Sequence, residues 1–289
     1  MVEIDRQSPV YQRQSTLNCR GRLLDLSKPA VMGILNVTPD SFYDGGTLAA
    51  PDALLERAGQ MLAEGAALLD IGGASSRPGA GEVPEAVEMQ RVLEAVELLI
   101  RQFPEAILSV DTWRSGVARA ALAAGAAVVN DISGGRFDPQ IIAVAREFGS
   151  PYVLMHMQGT PGTMQRQPQY EDVVAEVLDF FITQTGLLRA AGLRDIVLDP
   201  GFGFGKTVEH NYLLLRNLSV FTQTLGLPVL AGLSRKSMIC KVLRVNPDRA
   251  LNGTTALHMV ALQQGARILR AHDVQEAREV IQLWEQLNP

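Results

Sequence analysis

Eight short apolar runs, each followed by a longer stretch of helical period, constrain this chain more than anything else in it. The runs are Val31–Asn36, Ala67–Ile71, Ile107–Asp111, Ala127–Asp131, Tyr152–His156, Ile196–Asp199, Val229–Leu233 and Arg267–Ala271. Most are continuously apolar rather than alternating, the pattern of strands buried on both faces of a parallel sheet. Between them, apolar residues recur at steps of three and four: Met89, Leu93, Val96 and Phe103; Val173, Val177 and Phe181; Leu214, Leu218, Phe221 and Leu225; Val274, Ala277, Ile281 and Trp284. These spacings predict amphipathic helices.

Eight strand–helix units in order predict a closed (β/α)8 (TIM) barrel of the α/β class, a size that 289 residues fill as one domain. An open doubly wound sheet would show fewer strands and a glycine fingerprint at its switch point. Residues 28–289 form the barrel in this reading, and 1–27 an N-terminal extension. Within that extension Leu17–Leu26, broken at Gly21, predicts a hairpin that caps the barrel floor.

A net charge of −5 argues against nucleic acid or anionic lipid as partners, since both need a basic face. The two cysteines, Cys19 and Cys240, stand far apart and read as reduced thiols. The polar amino terminus has no signal-peptide core, and no uninterrupted apolar run reaches membrane-spanning length. The expectation is a cytoplasmic protein without a membrane partner.

Polar residues gather where the runs end: Asn36, Asp70, Asp111, Asn130-Asp131, His156, Asp199, the run Ser234 to Ser237, Arg270 and His272. Carboxyl ends of barrel strands open on one face, so these groups are expected around one mouth. Asp111, Asn130 and Asp199 suit a neutral heterocycle rich in N–H donors, because a carboxylate accepts two hydrogen bonds at once. Arg77, Lys236, Arg270 and His272 suit an anion such as diphosphate. Two glycine-rich loops, Thr38–Gly46 and Ala74–Gly81, carry Phe42 and Arg77 and read as covers of that mouth. Gly201–Thr207 is not a phosphate-binding P-loop, since Pro200 stands where that motif needs glycine. His156, His210, His258 and His272 lack the spacing of a zinc site. His156 reads as a hydrogen-bonded core or rim residue, and His210 and His258 as structural.

The same residues resemble the dihydropteroate synthase family, from about Val31 to Val274. The segments that carry the likeness are Gly33–Phe42 with Asp44-Gly45-Gly46, Ser75–Ala80, Ser109–Thr112, Val129–Gly135, Leu154–Gly159, Asp199–Lys206, Ser234–Ser237 and Arg270–Val274. The resemblance implies a transferase that joins a pterin diphosphate to p-aminobenzoate, as a homodimer sensitive to sulfonamides. It places the pterin among Asp199, Asn130, Asp111 and Lys236, with Met155 and Phe204 as walls. Ser76, Arg77, Arg270 and His272 grip the diphosphate, and Asn36 helps hold Mg²⁺ on it. Arg77, Lys236, Arg270 and His272 form the implied catalytic set. Ser237, Phe42 and Pro78 take p-aminobenzoate, and Asp44 joins the assembled first loop. Four positions depart from the family pattern: Tyr43, Ala74 where Glu is frequent, Ser76 where Thr is common, and Trp113. A methyl-folate:corrinoid methyltransferase would share the acid–amide slot without needing cations set for diphosphate. A silent binding homologue would have lost Asn36, Arg77 or Lys236, and all three are present.

Overall fold

The computed structural model describes residues 14–37, 50–74, 81, 83–165 and 168–288. It opens with β1 (Thr16–Cys19) and β2 (Arg22–Asp25), an antiparallel pair. Arg20 (φ 55°) and Gly21 (φ 85°) make the turn, and two left-handed residues in succession match the twist of a tight hairpin. Period-two alternation buries Leu17, Cys19 and Leu24 and leaves Leu23 in solvent. The buried set packs with Met32, Leu68, Val128, Val153, Val197, Leu230 and Ile268, so the hairpin does close the barrel floor.

The barrel strands are β3 (Ala30–Asn36), β4 (Leu68–Gly72), β5 (Leu108–Asp111), β6 (Val128–Asp131), β7 (Tyr152–Met155), β8 (Ile196–Asp199), β9 (Val229–Ala231) and β10 (Ala266–Ala271). Every neighbouring pair is parallel, and β10 joins β3 to close the ring. The helices are α1 (Ala50–Ala63), α2 (Glu85–Gln102), α3 (Ser115–Ala124), α4 (Gln140–Glu147), α5 (Val173–Ala190), α6 (Val208–Arg216), α7 (Ser219–Leu225), α8 (Ser237–Leu243), α9 (Leu251–Gln263) and α10 (Val274–Leu287). Alternation along each strand sorts the core into two layers. On β4, Leu69 and Ile71 join Val92, Val96 and Leu99 between sheet and helices, whereas Leu68 fills the interior floor. Among the described residues no helix is long and apolar enough to cross a membrane.

The structure departs from the sequence pattern in three places. The strands expected to run to His156 and Leu233 stop at Met155 and Ala231, because the chain turns there into loops. The helical period running from Leu214 to Leu225 belongs to two helices. Between them the Asn217 carboxamide donates to the Leu213 carbonyl at 2.8 Å, beside the Asn217 N–H that keeps its helical bond to the same oxygen at 3.2 Å, and the Leu218 N–H then reaches only three residues back, to the Leu215 carbonyl at 3.4 Å. Third, not every polar strand end faces the mouth, as described next.

Candidate active site

Inward positions near the carboxyl ends of the strands carry the polar groups, and the period of two decides which side chains those are. Asp70, Asn130, Asp111 and Arg270 meet inside the ring. The Arg270 guanidinium donates from Nε to Asp70 Oδ2 at 2.6 Å and from Nη2 to Asp111 Oδ2 at 2.7 Å. Asn130 donates from Nδ2 to the same Asp70 oxygen at 2.8 Å. On the far wall Asp199 accepts the Gly201 N–H on Oδ1 at 2.8 Å. A Cβ on Gly232 would lie 3.6 Å from Lys236 Nζ and 4.0 Å from Asp199 Oδ2, so a residue without a side chain keeps that corner open.

Burial sets the electrostatics. It pushes the Asp111 carboxyl up to about 7, against the pull of Arg270, with Asp70, Glu88 and Asp131 adding to the rise. The Asp199 carboxyl is raised for the same reason, opposed first by Lys236. Lys236 is brought down to about 8 by burial, opposed by Asp199. For Arg270 burial acts downward too, but the Asp70 and Asp111 carboxylates more than reverse it.

The apolar wall is Met155 with Ile132, Met157 and Met164, against which Trp113 and Phe204 pack. Lys236 Nζ stands 4.9 Å from the Phe204 ring centroid, a cation held over an aromatic face. Behind Phe204, the five consecutive carbonyls of Gly201 to Gly205 each accept from a side chain. Lys206 donates to Gly201 at 3.1 Å and to Phe204 at 3.0 Å. Lys236 donates to Phe202, Gln165 to Gly203, and the Tyr170 hydroxyl to Gly205 at 2.9 Å. Lys206 is buried and also sits 3.0 Å from His156 Nδ1. His156 is thus a hydrogen-bonded residue behind the wall, as its lack of partners at ligand spacing suggested, and not a group of the mouth.

Two more strand-end groups turn away. Asp131, one residue past Asn130, points outward and accepts from Tyr152 Oη at 2.5 Å and from the Ser133 and Gly135 N–H groups at 2.7 Å. Arg235, in a left-handed conformation, makes a two-pronged pair with Asp273 at 2.7 and 2.8 Å. His272 stays at the rim, its Nδ1 3.0 Å from Ser234 Oγ, while Arg57 of α1 donates to its carbonyl at 2.6 Å. Ser237 is the exposed first residue of α8. Asn36 and Asp111 flank Gly72 in register, where a Cβ would lie 3.3 Å from Asn36 Oδ1 and 3.8 Å from Asp111 Oδ2. Phe42, Tyr43, Asp44, Ser76, Arg77 and Pro78 lie outside the described residues. His258 is buried within α9, its basicity lowered to about 4 by burial, and His210 accepts the Thr207 N–H in the capping box of α6.

Sequence reasoning gave no role to Asp70, the hub of the network. Its parity with Asn36 across the β3–β4 pair could have marked it. Ile132, Trp113 and Lys206 were missed as well. Lys206 lies beyond a strand end, where no periodicity reports its direction.

A closed barrel whose mouth pairs buried carboxylates and an amide with cations and an apolar wall belongs to a defined class. The family model described as pterin binding enzyme matches residues 32–272. The dihydropteroate synthase of Escherichia coli K12 is 47% identical over 271 residues, 93% of this chain and 95% of that protein. The solved dihydropteroate synthase of Xanthomonas albilineans with 4-aminobenzoic acid is 43% identical, with a TM-score of 0.88, covering 94% of this chain and 98% of that one. The Yersinia pestis dihydropteroate synthase in a sulfonamide drug complex is 46% identical at the same TM-score and the same coverage. The chain belongs to the dihydropteroate synthase family.

Proposed function

We infer that this chain catalyses the condensation of 6-hydroxymethyl-7,8-dihydropterin diphosphate with p-aminobenzoate, giving 7,8-dihydropteroate and diphosphate. The observation that carries the reading is the slot itself, with Asp199, Asn130 and Asp111 beside the Met155–Phe204 wall and next to Lys236 and Arg270. An aminopyrimidinone edge offers adjacent N–H donors, and a buried carboxylate such as Asp199 accepts two of them. Lys236 answers the acceptor edge of the ring, and the flat faces suit Met155, Ile132 and Phe204.

In the reaction the methylene C–O bond to diphosphate breaks, a C–N bond to the arylamine forms, and the amine releases one proton to solvent. The arylamine is neutral at pH 7, so no strong general base is required, and the Ser234–His272 hydrogen bond at the rim, 3.0 Å, is not called on to abstract a proton. Arg270 and His272, with Ser76 and Arg77 from the second loop, would stabilise the charge that grows on the leaving diphosphate. Phe42, Pro78 and Ser237 would take the p-aminobenzoate, with Asp44 in the first loop. Sulfonamides would compete there.

Among the described residues no group of three or more His, Cys, Asp or Glu side chains is placed to hold a metal ion. Mg²⁺ needs no such cage, since it keeps several waters and bridges substrate phosphates through one or two protein oxygens. The open position at Gly72, with Asn36 Oδ1 beside it, fits that mode. Asn36 would hold the ion, which when bound adds positive charge to the diphosphate. Release of diphosphate that requires both p-aminobenzoate and Mg²⁺ is the expected assay result. Its absence with folded protein would overturn the reading.

Pterin affinity should peak between about pH 7 and 8. Asp111 accepts from the ring only as a carboxylate, so binding weakens as pH falls through about 7. Lys236 donates as an ammonium, so binding weakens again as pH rises through about 8. The raised Asp199 carboxyl acts on the acidic side with Asp111. Calorimetric titration from pH 5.5 to 9.5 reads both limbs, and a flat profile would remove these two groups from the contact.

Under the same reading the protein is a cytoplasmic homodimer. On α9, Leu251, Ala256 and Val260 remain accessible and offer outer surface, but Ala261 is fully buried in the core and offers none. Exposed Val242 and Leu243 on α8 extend the apolar surface instead. Sedimentation should show a dimer at micromolar concentration, and a monomer alone would refute it.

A further inference from the structure

The innermost carboxylate of the mouth has no part in the chemistry above. Asp70 on β4 is fully buried, yet one of its oxygens, Oδ2, serves two strands at once, taking Asn130 Nδ2 from β6 and Arg270 Nε from β10. Its other oxygen accepts no hydrogen bond among the described residues. A carboxamide has two poles of equal size, and turning it over exchanges donor for acceptor at no steric cost. Next to a carboxylate the two orientations are far from equal. A carboxylate oxygen only accepts, so the NH2 of Asn130 must face Asp70, and its carbonyl oxygen is left to face the slot.

We propose that Asp70 is a positioning residue that sets ligand selectivity. By holding the Asn130 NH2, it presents the Asn130 carbonyl oxygen to the slot, which then takes rings carrying an amino group over rings carrying an oxo group in the same place. The inference rests on the pterin reading of the slot. It differs from a role in which Asp70 only balances the charge of Arg270. A lost counter-charge would weaken every ligand alike, whereas a lost orientation changes which ligand is preferred.

Affinities for 6-hydroxymethylpterin and for its 2-oxo analogue, measured by calorimetry on the full chain, separate the cases. The wild-type protein should prefer the amino compound strongly, through Asp199 and Asn130 together. In Asp70→Asn the Asn130 amide is free to turn and donate to the oxo group, so the preference should fall about tenfold, mainly through tighter binding of the oxo compound. A preference unchanged by Asp70→Asn, even with both affinities reduced, would overturn the proposal. The ratio does not depend on the fraction of protein that is folded. Should Asp70→Asn not fold, the exchanged variant Asp70→Asn/Asn130→Asp restores one amide–carboxylate pair with the carboxylate facing the ligand. It should prefer the amino compound at least as strongly as wild type, and a lost preference there would equally overturn the proposal. A wild-type protein that binds neither compound would defeat the pterin reading instead.

Discussion

Asp199→Asn should weaken pterin binding by about 2–4 kcal/mol, a factor of roughly 30 to 1000, with little change in the size or shape of the side chain. Asp199 is buried and already spends Oδ1 on the Gly201 N–H at 2.8 Å. An asparagine there has one donor pole and one acceptor pole, and both of its orientations are bad. If the NH2 faces Gly201, two donors oppose each other within the wall, and the turn carrying Phe204 is disturbed. If the NH2 faces the slot, it meets the donors of the ring. Lys236 loses its opposing charge in either case, since Asp199 is the first group that holds its ammonium up against burial. Isothermal titration of the variant against wild type measures the loss. Unchanged pterin affinity would remove Asp199 from the ligand contact.

The second large effect is on stability. Gly201 has φ +67°, and a Cβ there would stand 1.9 Å from the His156 carbonyl oxygen. That oxygen belongs to backbone held between β7 and β8, where the His156 N–H donates to the Asp199 carbonyl at 3.0 Å, so it has little room to retreat. Gly201→Ala therefore combines left-handed strain with an overlap that only backbone movement can relieve, and should cost about 4 kcal/mol. Gly203→Ala is the control. Its φ of +84° carries similar strain, but the nearest atom to its Cβ is the flexible Lys236 Cδ at 3.5 Å. It should cost about 1 kcal/mol. Urea unfolding of the two variants reads the difference, and equal costs would show that the His156 contact relaxes freely.

Much of this site was legible because strand parity and strand ends are written in the apolar pattern. Asp111 and Asp199 close apolar runs and Asn130 and Arg270 stand one residue before such an end, all at inward positions, and the structure brings three of them into contact or one bond apart through Asp70. The same rule, applied strictly, separates Asn130 from Asp131, since consecutive residues face opposite sides. Grouping the pair at one mouth ignored that. His156 and Arg235 were misplaced for another reason. Each lies just beyond a strand, where periodicity ends and individual partners, Lys206 for one and Asp273 for the other, decide the direction. The break after Asn217 is a local change of backbone bonding, from four residues back to three, invisible to a pattern that continued across it. The family likeness supplied the ligand roles, which no spacing contained.

The five occupied carbonyls from Gly201 to Gly205 bear on the heat capacity of binding. A wall that orders only when its ligand arrives adds its own folding signature to the measured enthalpy, which then changes steeply with temperature. Here the carbonyls are tied by donors of the protein itself, from Lys206, Lys236, Gln165 and Tyr170. The temperature slope contributed by this side of the slot should therefore match the apolar area that the ring covers and nothing more. Lys236 adds a small exception. Its ammonium carries three N–H donors, so the bond to the ring adds to the one it already gives the Phe202 carbonyl, and its enthalpy comes on top of the apolar contribution.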